Sequence, residues 1–310
     1  MSVYDAERPR LARMWDRLDA RLARLPPQLA VLGKQFRASI RADDRAYFSS
    51  PDAAPLLFLP IWLARADDDA LDDILEASAL AYWYVRIQDN VIDEPAERGH
   101  SPYLLLANIF IWDALELWRK RISSERFWAL SRAAWTRFSD ETEGERACIA
   151  GRSAYSESAF VRHAGKVALA EIPIFAVMAV SDDWRGADCV PPLVHALGQA
   201  YGRLNDVLGH ERDLRTNGHT YLLAKAAEVA GSTQIDAMRK ALIESELLET
   251  FLDGAVENHR EAAVCAEKIG ISQMQAFTAE RLARLATMRL QISLLRLGSL
   301  TAPSGSTGAG

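Results

Sequence analysis

The chain predicts an all-α fold in a single domain. Three observations predict it. Apolar residues recur at helical spacing in nearly every segment, and no stretch keeps the two-residue alternation of a half-buried strand. Prolines stand where helices would begin or end, at Pro26-Pro27, Pro51, Pro55, Pro60, Pro95, Pro102 and Pro191-Pro192. Of 310 residues, 49% are hydrophobic and 25% charged, which supplies a sizeable core. No internal repeat and no long linker divides the chain, so one domain over residues 1–297 is the economical reading.

The elements follow in order. The opening MSVYDAERPRLARMWDRLDARLARL is charged throughout and reads as a helix over 5–24, not as a secretion signal. Pro27 opens a helix over 27–42, and Pro55 opens another over 55–65. A long apolar run, 69–94, ends before Pro95, and Pro102 starts 102–121. Helices over 124–141 and 145–180 follow. Pro173 falls inside the second and predicts a kink between Gly165 and Pro173. Pro191-Pro192 open 192–216, and 219–230, 233–268 and 271–297 complete the set. The remainder, GSLTAPSGSTGAG over 298–310, is small and polar and reads as a disordered tail.

Charge and composition exclude some functions. A net charge of -6 argues against nucleic acid as a partner, since such binders carry a basic face. An anionic small substrate is compatible with it if cations mediate the contact. Cys148, Cys189 and Cys265 lack ligand spacing and read as reduced thiols. No uninterrupted apolar run has transmembrane length, so no integral membrane association is expected, and a soluble, cytoplasmic protein is.

Two polar clusters carry the functional signal. Asp89-Asn90-Val91-Ile92-Asp93-Glu94 closes the apolar run LEASALAYWYV, and Asn205-Asp206-Val207-Leu208-Gly209-His210-Glu211-Arg212-Asp213 closes VHALGQAYGRL. At about 100° per residue, Asp89 and Asp93 lie roughly 40° apart, with Tyr82 and Arg86 on the same side. Asn205, Gly209 and Asp213 share an arc of about 80°. Magnesium takes oxygen ligands, typically one or two carboxylates plus phosphate oxygens and water, and acids at i and i+4 suit it. Gly209 is expected to leave room for water or metal. Acid pairs at this spacing are common on solvated faces, but both helices here look buried, and buried carboxylates need compensating cations. The two clusters are expected to face each other and hold magnesium ions and a diphosphate.

The first cluster resembles the DDxxD motif of class I isoprenoid synthases, with Asn for the second Asp. The second resembles the NDxxSxxxE motif of terpene synthases, with Gly for Ser and Asp for Glu. The resemblance implies the class I isoprenoid synthase fold, an antiparallel helical bundle around a central cavity, and three magnesium ions that bind the diphosphate of an allylic isoprenoid. Metal ions and basic side chains would stabilise the leaving diphosphate. An apolar cavity would keep the carbocation from water, with aromatic faces attracting it. Asp89, Asp93, Asn205 and Asp213 would be the ligands. Arg212 would contact diphosphate, and Arg162 is similar in placement to the family's diphosphate sensor, with Gly165 at its helix break. Lys166 resembles the diphosphate lysine of trans-prenyltransferases. Tyr82, Trp83, Phe160, Phe175 and Tyr201 lie on motif-bearing or adjoining helices, and either line the pocket or fill the core. His210 is expected as a hydrogen-bonding neighbour, since imidazole suits magnesium poorly. Family members are often dimers, so a homodimer is an outcome the resemblance allows.

A chain-elongating prenyltransferase also carries a Gly-Gly-Lys-x-x-Arg element before its first motif. Here Phe48 to Pro60 holds no basic residue, and Gly33-Lys34-Gln35-Phe36-Arg37 sits too early. This favours ionisation of one substrate followed by cyclisation, that is, a terpene synthase. The chain also lacks the closing Arg-Tyr pair of many terpene synthases, and Asp213 followed by Gly218-His219-Thr220-Tyr221 is similar to a prenyltransferase second motif. A trans-prenyltransferase or squalene/phytoene-synthase-like coupling enzyme, and a catalytically silent helical scaffold, are the alternatives.

Overall fold

A computed structural model describes residues 4–48, 50–93, 102–151 and 155–301. It is helical as the sequence predicts, and no strand occurs among the described residues. The helices are α1 (Arg8–Ala23), α2 (Pro27–Phe48), α3 (Leu59–Leu63), α4 (Asp68–Asp93), α5 (Tyr103–Arg121), α6 (Glu125–Gly151), α7 (Glu157–His163), α8 (Glu171–Val180), α9 (Val190–Arg215), α10 (Tyr221–Ala230), α11 (Ile235–Glu244), α12 (Leu247–Ile269) and α13 (Gln273–Thr301).

Several boundaries differ from the sequence reading, and α2 continues to Phe48, past the expected end at 42. α6 continues through Gly144 to Gly151 where the pattern suggests a stop near 141, because glycine inside a helix weakens it without breaking it. The long helix read over 145–180 is divided: its start to Gly151 belongs to α6, and α7, a tight 3-10 stretch Ala164–Ala170 and α8 follow. A break thus lies in the interval from Gly165 to Pro173 where it is expected. The helix read over 233–268 is interrupted at Ser245 and Glu246, where Ser245 turns to extended backbone and its hydroxyl accepts from the Leu247 N–H. α13 runs to Thr301, four residues beyond Leu297, and residues 302–310 of the expected tail lie outside the described residues. Glu157–Val180 is apolar enough on average to span a membrane, yet 61% of its most apolar window is buried inside the protein.

The chain forms two compact units. The first comprises residues 1–135, 168–191 and 266–274. α1 buries Leu11, Met14, Trp15, Leu18 and Leu22, one stripe at helical spacing. Trp83 of α4 is fully buried, with the rings of Trp15, Phe36 and Phe110 centred 6.1, 5.6 and 5.2 Å away. Phe175 is core of the same unit. Arginines of α1 meet acids of α4: Arg10 pairs with Asp68 and Asp72, Arg17 with Asp73 and Glu76, and Arg21 with Glu76. Lys120 and Arg121 of α5 also reach Asp73, at 2.8 and 2.7 Å. Burial pushes the Asp73 carboxyl up, but Lys120, Arg121 and Arg17 together outweigh it and hold its pKa at about 2.

The second unit comprises residues 136–167, 192–265 and 275–310. Its core gathers Tyr155, Phe160, Leu204, Tyr221, Leu222, Phe251 and Leu252 among others, drawn from α7, α9, α10 and α12. α9 lies close against the 3-10 stretch: a Cβ on Gly198 would stand 2.6 Å from Val167 Cγ2 and 2.9 Å from the Ala164 carbonyl oxygen. Only glycine permits that approach.

Candidate functional site

The second polar cluster occupies the last turns of α9. That helix ends in a Schellman closure: Asn217 takes a left-handed conformation at φ 52°, and the Gly218 N–H donates to the Asp213 carbonyl at 2.7 Å. Asp213 is therefore fixed in backbone at the helix end, and its side chain is nearly buried. The Arg212 Nε donates to Asp213 Oδ1 at 2.9 Å. The space above Gly209 is filled, not open as its missing side chain suggests. A Cβ there would meet Arg212 Nη2 at 2.8 Å and Asp213 Oδ2 at 3.1 Å. His210 turns its Nδ1 to the Val207 carbonyl at 2.7 Å, within its own helix.

One face of α9 borders a cavity of about 280 Å³ within the second unit. Phe160, Lys166, Tyr201 and Asn205 line it, as do Glu145, Tyr155, His163, Asp206, Thr220 and Tyr221. Lys166 pairs with Glu145, whose other oxygen accepts from the Tyr155 hydroxyl at 3.1 Å. Burial and then the Glu145 charge push the Tyr155 phenol far up, so it stays a proton donor. Burial pushes the Asp206 carboxyl up to about 6; the Leu222 N–H and Arg203 oppose the rise, while Asp213 and Glu145 add to it. Asp206 Oδ2 accepts that Leu222 N–H at 3.1 Å and so caps α10, beside Thr220, whose hydroxyl accepts from Leu223. His163 is buried; its Nδ1 lies 3.3 Å from Glu141 and its Nε2 has no partner.

Aromatic rings pack at and behind the wall. Phe160 and Tyr221 stack with centroids 5.1 Å apart, and Phe251 packs on the far side of Tyr221 at the same spacing. The Arg203 guanidinium lies 4.9 Å from the Phe160 ring and 5.6 Å from the Phe251 ring. The cavity thus sets a cation, an amide and carboxylates beside aromatic faces.

The first cluster belongs to the first unit. Asp89 is exposed in the last turns of α4. Arg86 Nη1 donates to the Tyr82 hydroxyl at 3.1 Å, and the Tyr82 ring stacks on Tyr47 at 5.0 Å and meets the edge of Phe48. Asp93 ends α4; its side chain, like all of Glu94, lies outside the described residues.

Of the residues singled out from sequence, Phe160, Lys166, Tyr201 and Asn205 come together at one cavity. Arg162 is exposed on α7 and is not among the lining residues. Glu145, Tyr155 and His163 were not singled out. The one local signal toward Glu145 is its i, i+4 spacing from Glu141, which α6 spans without a break. Among the described residues, no group of three or more His, Cys, Asp or Glu side chains is placed to hold a metal ion by itself.

No family model matches the sequence, and no curated protein does. The fold is similar to that of a polyprenyl synthase from Caulobacter crescentus CB15, a crystal structure in complex with calcium and isoprenyl diphosphate. The TM-score is 0.68 at 16% identity, covering 88% of this chain and 95% of that one. At that identity the likeness is one of fold.

Proposed function

We propose that this protein is a class I isoprenoid synthase of the terpene cyclase kind, which ionises one allylic isoprenoid diphosphate with magnesium, releases diphosphate and cyclises the carbocation. The observation that carries the reading is the cavity beside α9, where Lys166 and Asn205 stand against the rings of Phe160, Tyr201 and Tyr221. The polar side suits a metal-bound diphosphate and the aromatic side suits a hydrocarbon cation. A shared fold with a protein crystallised with isoprenyl diphosphate supports it.

The donor set fits magnesium. Asn205 and Asp213 offer an amide and a carboxylate oxygen, and a cation held by so few protein ligands would be completed by phosphate oxygens and water. Asp89 and Asp93 are the proposed ligands of the first cluster. When bound, magnesium would supply charge neutralisation to the departing diphosphate. The chain does the rest. Arg212, whose side chain is 73% exposed, releases Asp213 and turns to diphosphate. Lys166 contributes a second cation from the cavity wall. Phe160 and Tyr221 exclude water from the hydrocarbon.

Cyclisation is favoured over coupling by the segment where a second diphosphate would need cations. Ala54–Leu63 is apolar and buried throughout, and Phe48 before it is fully buried. Prenyl coupling remains the second reading, favoured by the polyprenyl synthase likeness. The test is incubation with C10, C15, C20 and C25 allylic diphosphates and magnesium, with and without isopentenyl diphosphate, and product analysis by mass spectrometry. A cyclic or rearranged hydrocarbon or alcohol from one substrate supports the cyclase; product only with isopentenyl diphosphate supports coupling. If Asp89→Ala and Asn205→Ala leave activity and magnesium-dependent diphosphate binding unchanged, both readings fall and a silent scaffold is left.

A further inference from the structure

The charges that line the cavity beside α9 are few and unequal. Lys166 is the one lysine or arginine among the lining residues, set against the carboxylates of Glu145 and Asp206. That lysine is also engaged. Its ammonium pairs with Glu145 Oε2, while Glu145 Oε1 accepts from the Tyr155 hydroxyl at 3.1 Å. Each oxygen of Glu145 thus holds one partner, and the carboxylate ties α6 to the 3-10 stretch that carries Lys166. The pair is not sealed off. The lysine side chain is 38% exposed and that of the acid 22%, so a ligand in the cavity can reach the ammonium.

The neighbouring cations do not change this balance. Arg203 lays its guanidinium against Phe160 and Phe251 and is not among the lining residues. Arg212 is paired with Asp213, and His163 Nδ1 lies against Glu141. The His219 ring packs against Tyr155, with centroids 5.8 Å apart. An anion that enters alone therefore meets two carboxylates and an ammonium already neutralised, and like charges in apposition disfavour it. To gain Lys166 it must take the place of Glu145. The exchange is open, because an ammonium has three donors and the carboxylate keeps the Tyr155 hydroxyl when the lysine leaves.

We propose that Glu145 is a latch on Lys166, which withholds the ammonium from a diphosphate that comes without metal. The inference rests on the diphosphate reading of this cavity and adds a residue which that reading does not use. It is tested by isothermal titration of the full chain with inorganic pyrophosphate at low ionic strength, once with chelator and once with magnesium. The parent is expected to bind at least tenfold more weakly in chelator. Glu145→Gln keeps an acceptor for Tyr155 but loses the charge, and its affinity in chelator rises at least tenfold. Adding Lys166→Met to it removes that gain, as coupled residues require. Lys166→Met alone changes affinity less than about twofold in chelator and lowers it at least fivefold with magnesium. That variant decides the matter if Glu145→Gln does not fold. Affinity of Glu145→Gln that is unchanged or weaker in chelator overturns the latch, as does a fivefold loss there for Lys166→Met alone. A gain that survives Lys166→Met also overturns it, since Glu145 would then repel the anion directly. Any of these in a parent that binds pyrophosphate with magnesium leaves the diphosphate reading standing. A parent that takes up no pyrophosphate with magnesium ends that reading, and the latch with it.

Discussion

Arg212 reaches its own neighbour, Asp213: Nε donates to Oδ1 at 2.9 Å and Nη2 stands 2.8 Å from the same oxygen. Consecutive residues on a helix do not face each other, so the pair forms only because the guanidinium folds back across Gly209. Arg212 makes it with an exposed, flexible side chain, which limits its worth to stability, while Asp213 beneath is nearly buried. Its value lies in being exchangeable.

Arg212→Ala is accordingly expected to lower the unfolding free energy by only about 1 kcal/mol, the cost of leaving the nearly buried Asp213 without this donor. Magnesium-dependent diphosphate release should fall about 10- to 100-fold as a charge-assisted contact is lost. Urea unfolding and a pyrophosphate-release assay read the two effects separately. A matching loss in both would assign Arg212 to the fold.

Gly209→Ser tests the same pair from beneath. The new Cβ meets only the mobile end of Arg212 and the edge of the Asp213 carboxylate, so the guanidinium swings away at little cost. Helix propensity improves by about 0.5 kcal/mol. Stability should hold or rise slightly, and affinity for magnesium with inorganic pyrophosphate should rise because Asp213 is released. Titration calorimetry reads it, and unchanged affinity would count against competition between Arg212 and metal.

Asp73 sets a pH limit on the first unit. Its folded pKa of about 2 lies below the ordinary carboxylate value, so the folded state binds its proton more weakly than the unfolded chain does. The contribution is complete above about pH 4, fades as pH falls through 4 towards 2, and amounts to about 2 kcal/mol. Asp73→Asn should lose roughly that amount or more at pH 7, because Arg17, Lys120 and Arg121 are left facing one another. The gap between parent and variant should close near pH 2 to 3 in denaturant titrations.

Gly198→Ala should destabilise by about 1–3 kcal/mol, through overpacking against Val167 and the Ala164 carbonyl. Lys166 lies between those two residues, so turnover should fall as well. Chemical denaturation and steady-state kinetics are the measurements, and full retention of both would mean that the 3-10 stretch yields easily.

Much of this was legible in the chain because helices announce themselves locally. The Leu11, Met14, Trp15, Leu18, Leu22 stripe and the prolines at 27 and 102 are short-range signals: α1 buries the stripe, α2 begins at Pro27 and α5 just after Pro102. Gly165 and Pro173 likewise announce the break that brings Lys166 to the cavity. What remained hidden depends on contacts distant in sequence. Nothing local to Glu145 reveals that Lys166 and Tyr155 will meet it, and Gly144 before it argues for a helix end although α6 continues through it. The Gly209 case is subtler. Its missing side chain is evident from sequence, but the return of Arg212 over it is a rotamer choice, and no pattern encodes that.

The clamp at the start of α10 has an architectural consequence. Asp206 and Thr220 together secure the first free amides of that helix, and Tyr221 stands on its first turn. The position of the ring is thereby tied to the α9 side chain rather than to the connecting strip from Thr216 to His219. Lengthening that strip by a few residues should cost little, since closure entropy grows only slowly with loop length. A lineage or a designer could graft a new surface there while the ring beneath keeps its place.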